Sequence, residues 1–158
     1  MNMADLGRTK SLLLIAAALA STSMAADRVK IDSGIVEGTV NSDSSVRIFR
    51  GVPFAAPPVG DLRWRPPQPV QPWSGVRKAV DFGPHCVQGT VFADIVFRSR
   101  EMSEDCLSVT VWTPARSQGE RLPVYVWFYG GGFAAGSGDE PRCDGESFAK
   151  HDIVVVNA

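Results

Sequence analysis

Val124-Tyr125-Val126-Trp127-Phe128-Tyr129-Gly130-Gly131-Gly132-Phe133 joins six consecutive β-branched or aromatic residues to three consecutive glycines. The first part does not alternate, whereas a strand with one wet face alternates apolar and polar residues with period two. Such a run predicts a strand buried on both faces, as in the parallel sheet of an α/β protein. Ile153-Val154-Val155-Val156 reads the same way, and Glu146–Lys150 between them has room for a helical turn or two. Upstream, Leu107, Val109 and Val111 alternate with Ser108, Thr110 and Trp112, which predicts a half-buried strand ended by Thr113-Pro114. A valine-rich strand left at an open edge would template aggregation, so the chain is expected to be the N-terminal part of a longer protein.

The glycines after the first run carry the chemistry. Without Cβ atoms, successive backbone N–H groups can converge on one point and hold an anion. If that anion is the oxygen of a tetrahedral acyl intermediate, the loop is an oxyanion hole. Two other uses compete. Gly130-x-Gly132-x-x-Ala135 fits a loose dinucleotide pattern, but Gly136-Ser137-Gly138-Asp139-Glu140-Pro141 breaks the helix that pattern requires, and Asp152 begins the next strand instead of ending it. A plain glycine turn packed against a neighbour is the other alternative. No nucleophile is evident: G-x-S-x-G is absent, and Gly145-Glu146-Ser147-Phe148-Ala149 lacks both the final glycine and a preceding strand. Ser147 therefore reads as a helix-start residue, and His151 beside Asp152 as a surface pair.

Working back toward the N-terminus, residues 53–72 hold seven prolines interleaved with Phe54, Leu62 and Trp64 and followed by Trp73. That predicts an extended strap whose large side chains pack on a larger body, because flexible linkers are poor in such residues. Val29–Ile31, Ile35–Val40 and Val46–Arg50 read as strands, the last two joined in a hairpin through Asn41-Ser42-Asp43-Ser44. Residues 1–25 read as a secretory signal: Arg8 and Lys10, then the apolar run Leu12–Ala20, then small residues Ser23 and Ala25 before cleavage. The mature domain would be residues 26–158, exported to the periplasm or medium. In an oxidising compartment the three cysteines can pair, and Cys86 with Cys106, which flank a polar loop, are the expected disulfide.

Composition excludes several classes. The chain is 44% apolar with a net charge of −1, so it is globular and has no basic excess for nucleic acid. No apolar stretch reaches the ~18 residues of a spanning helix. There is no CxxC or Cys/His cluster, so neither metal nor cofactor is expected.

Taken together, Gly34-Ile35-Val36-Glu37-Gly38, Phe49-Arg50-Gly51-Val52-Pro53-Phe54-Ala55-Ala56-Pro57-Pro58-Val59-Gly60, Leu62-Arg63-Trp64, Pro72-Trp73-Ser74-Gly75, Ser103-Glu104-Asp105-Cys106-Leu107 and Tyr129-Gly130-Gly131-Gly132-Phe133 resemble, in order and spacing, the N-terminal part of a type-B carboxylesterase. The resemblance implies an α/β-hydrolase fold, incomplete here, with antiparallel N-terminal strands leading into a mixed central sheet. It implies hydrolysis of a small-molecule carboxylic ester through serine attack and an acyl-enzyme, or, in a non-catalytic member of the family, partner binding as an adhesion module. Gly131 and Gly132 would supply oxyanion-hole donors. The nucleophile, acid and histidine would lie outside this sequence, so the chain alone would be inactive. Cys86–Cys106 would be the family's first disulfide, and Arg63 with Glu104 its buried ion pair. The loop Val87–Asp105 lacks the tryptophan with which cholinesterases bind choline, so a choline ester is not implied.

Overall fold

A computed structural model describes residues 27–158. The signal expected over residues 1–25 lies outside the described residues. The strands are β1 (Arg28–Ile31), β2 (Gly34–Glu37), β3 (Thr39–Val40), β4 (Arg47–Pro53), β5 (Val76–Lys78), β6 (His85–Cys86), β7 (Met102–Ser103), β8 (Ser108–Thr113), β9 (Val124–Trp127) and β10 (Val154–Asn157). A single-turn helix, α1 (Glu146–Ala149), precedes β10.

The main sheet has the order β3-β4-β8-β10-β9. Its first four strands pair antiparallel, and β10 pairs parallel with β9. This is the expected mixed sheet entered through antiparallel strands. The hairpin β3–β4 forms as read, closed by Asn41, whose amide donates to the Val46 carbonyl at 2.9 Å and whose side-chain oxygen accepts from the Val46 amide at 3.0 Å.

The single strand expected over Ile35–Val40 instead breaks at Gly38. Its first half joins the small sheet β1-β2-β5, and its second half joins the main sheet. A Cβ at Gly38 would lie 2.4 Å from the Ile48 carbonyl oxygen and strike the Phe49 ring, so the chain can cross from one sheet to the other only at a residue without a side chain. The two sheets are tied again at a bulge in β4, where the register against β8 shifts between Phe49 and Val52. The Arg50 amide in that bulge donates to the Ala79 carbonyl at 2.7 Å, just after β5.

β8 is covered on both faces, not half-buried as its alternation suggested. On one face Trp112, at 0% exposure, packs with Val46, Ile48, Ala149 and Val155. On the other, Val111 packs against Val36, Phe49 and Ala79. β10 lies between β8 and β9, an inner place that fits its unalternating valines, and in the described chain β9 is the edge strand. Its four residues are 40–60% exposed in the described chain. Tyr125 stacks on Phe148 of α1, so apolar surface covers the flank next to β10 only.

The proline-rich strap is extended apart from a 3-10 turn at Gly60–Leu62. It is fastened by buried Ala55 and Ala56 and by Trp73, whose indole donates to the Ile35 carbonyl at 3.1 Å. Trp64, expected to pack, is 99% exposed.

Candidate functional site

β9 delivers the glycines. Its pairing with β10 continues to Ala158, whose amide donates to the Trp127 carbonyl at 3.0 Å. Beyond Trp127 the chain leaves the sheet and curls back on itself: the Ala134 and Ala135 amides both donate to the Gly131 carbonyl, at 3.1 and 3.3 Å. Gly131 has φ +139°, and a Cβ there would lie 1.6 Å from the Ala135 carbonyl oxygen, so the curl requires glycine. With the Gly131 carbonyl turned inward, its amide and that of Gly132 donate to no protein partner among the described residues. Both glycines line a cleft of about 640 Å³. Phe54, Val87, Phe128, Phe133 and Ala134 give that cleft an apolar wall, with Gln88 and Tyr129 as its polar side chains. Free amides facing an apolar wall can hold negative charge.

The loop is held from two sides. From β10, buried Asn157 donates through Nδ2 to the Gly138 carbonyl at 2.7 Å and the Cys143 carbonyl at 2.9 Å. From the loop closed by Cys86 and Cys106, which the structure joins as a disulfide, three residues reach the segment that follows the glycines. Gln88 bonds Gly136. Arg98 Nε donates to the Asp139 carbonyl at 2.6 Å, and its Nη1 to Asp144 at 2.7 Å. The Ser99 amide donates to the Asp139 carboxylate. Burial alone would raise the Asp139 carboxyl, but hydrogen bonds from Ser137 and Ser99 outweigh it and hold the group below the ordinary carboxylate value. Burial, then the charges of Asp139 and Glu140, push the Tyr129 phenol up, so it stays neutral beside the loop. Closing a loop with sequence separation 20 is worth about 3 kcal/mol on the chain-entropy account. The disulfide thereby stabilises the platform on which the glycine loop rests.

Arg63 and Glu104 do meet: Arg63 Nη2 lies 2.6 and 2.5 Å from the two carboxylate oxygens. The pair is not buried as expected, because its side chains are 54% and 48% exposed. In the described chain a pair so exposed is worth about 0–1 kcal/mol. Ser147 sits exposed in α1, and His151 and Asp152 are exposed in the turn before β10, remote from the glycine loop in their contacts. Cys143 is the free cysteine among the described residues, and burial pushes its thiol up, away from the reactive thiolate. Gln88, Arg98 and Ser99 were missed in the sequence. Their partners, the Gly136 backbone and the carbonyl and carboxylate of Asp139, lie 40–48 residues away, and nothing in local pattern marks them.

The sequence profile described as "Carboxylesterase family" matches residues 25–158. A fumonisin B1 esterase of Sphingopyxis macrogoltabida is 46% identical over 124 residues, covering 78% of this chain and 22% of its own. A medium-chain fatty acyl-CoA hydrolase precursor of Anas platyrhynchos is 40% identical over 164 aligned positions, covering 92% of this chain and 29% of its own. Among solved structures, a Geobacillus stearothermophilus carboxylesterase superposes with a TM-score of 0.72 at 39% identity, covering 83% of this chain and 26% of its own. The chain thus spans between a fifth and a third of the length of these relatives.

Proposed function

The chain belongs to the carboxylesterase family, and from that premise we propose that the protein carrying it hydrolyses carboxylic esters by the serine route. A serine outside this sequence attacks the ester carbon, the carbonyl oxygen gains the negative charge, and the Gly131 and Gly132 amides receive it. Collapse expels the alcohol and leaves an acyl-enzyme, which water then hydrolyses with a histidine and acid that also lie outside this sequence. The observation that carries this reading is the pair of unengaged glycine amides at the wall of an apolar cleft.

The test is saturable hydrolysis of p-nitrophenyl butyrate by the whole protein, with stoichiometric labelling by a serine-directed phosphonate. Neither hydrolysis nor labelling by the folded protein would overturn the assignment. Export is part of the same proposal, supported by the apolar N-terminal run and by a disulfide of the kind that persists in oxidising compartments. The exported protein is expected to begin at Ala26, and a retained Met1 would refute cleavage.

A further inference from the structure

Gln88 grips one residue, Gly136, with both ends of its carboxamide. Its Oε1 accepts from the Gly136 amide at 2.6 Å, and its Nε2 donates to the Gly136 carbonyl at 2.9 Å. Nε2 also donates to the Cys86 carbonyl at 3.0 Å, which ties the grip to the disulfide. The three partners fix the orientation of the amide, since a flip would set an oxygen against two carbonyls and a nitrogen against an N–H. Gly136 is buried. Without Gln88, neither its N–H nor its C=O would keep a protein partner among the described residues.

The position of this grip matters. Gly136 is where the glycine loop closes. A Cβ at Gly136 would lie 2.6 Å from the Gly130 carbonyl oxygen, so Gly136 and Gly130 are in backbone contact across the neck of the loop. Between them stand Gly131 and Gly132. Fixing Gly136 against the disulfide fixes the neck, and the neck sets where the two amides stand along the cleft wall. Gln88 lines that same cleft.

We propose that Gln88 is a positioning residue for ester hydrolysis: its carboxamide clamps the neck of the glycine loop to the disulfide and so aims the Gly131 and Gly132 amides. The inference rests on the esterase reading. It predicts a defect in the transition state rather than in substrate binding, because the charge those amides meet exists only there. In the whole protein, Gln88→Leu keeps the bulk and removes the clamp. It is expected to lower kcat for p-nitrophenyl butyrate by about 10- to 100-fold, the scale of a small misplacement of catalytic groups, with KM changed less than about two-fold. Gln88→Glu supplies a second readout. Its carboxylate cannot donate to the Gly136 and Cys86 carbonyls, but its neutral acid can, so the ratio of variant to parent activity is expected to rise as pH falls. An active parent whose Gln88→Leu variant keeps its kcat, or whose Gln88→Glu ratio is flat with pH, overturns the positioning role alone. A parent that hydrolyses no ester overturns the esterase reading and this role with it.

Discussion

Replacing Gly131 by valine in the protein that carries this chain is expected to lower kcat for p-nitrophenyl butyrate by about 100-fold or more, the scale of losing one oxyanion donor. That loss corresponds to about 2.7 kcal/mol of transition-state stabilisation. The cause is steric before it is electrostatic. Any Cβ at this position starts 1.6 Å from the Ala135 carbonyl oxygen, and φ +139° is closed to β-branched residues. The curl that turns the Gly131 carbonyl inward must open, and the amides then leave the cleft wall. Gly132→Ala is the internal comparison. Nothing lies within 4 Å of a Cβ there, and only its φ of +62° opposes the change. Its loss should therefore be the smaller of the two, with KM for both variants near that of the parent. A Gly131→Val enzyme with unchanged kcat would remove these glycines from the mechanism.

What the sequence made legible was local. The three glycines, the strand before them and the hairpin at Asn41 each follow from a few adjacent residues acting on their own backbone. Contacts over long sequence separation were legible only where residue type narrows the choice, as for Cys86 and Cys106. The unalternating Val124 run shows what pattern omits: it reports side chains that want cover on both faces, but not which neighbours supply it. In the described chain β10 took the inner place and β9 the edge. Trp64 shows the same limit, because size and hydrophobicity measure the gain from burial without naming the surface, and in the described chain none covers it. The polar grips of Gln88, Arg98 and Ser99 were invisible because hydrogen bonds between side chain and backbone 40–48 residues apart leave no periodicity. Arg63 and Glu104 were paired correctly by resemblance, yet their environment, and hence their energetic weight, could be read only from the structure.

Trp112 offers the largest stability effect and a test of the sheet order itself. Its side chain is fully buried at the crossing of β4, β8, β10 and α1, packed by Ile48, Val155 and Ala149. Trp112→Ala is expected to destabilise the folded protein by about 3–5 kcal/mol, read as a lowered urea midpoint at unchanged slope. Trp112→Phe should behave differently. The indole Nε1–H is buried without a hydrogen-bond partner among the described residues, and an unpaired buried donor costs about 1–3 kcal/mol. Phenylalanine removes that donor while leaving a smaller void than alanine. The two effects oppose each other, and the net change is expected to stay within about 1 kcal/mol of the parent. If Trp112 were instead at a half-buried face, as the alternation of β8 suggested, both substitutions would cost little and the indole would find water for its N–H. An alanine variant as stable as the parent would therefore reject the placement of β8 between β4 and β10. Loss of that placement would also detach β10, the strand that holds the glycine loop through Asn157.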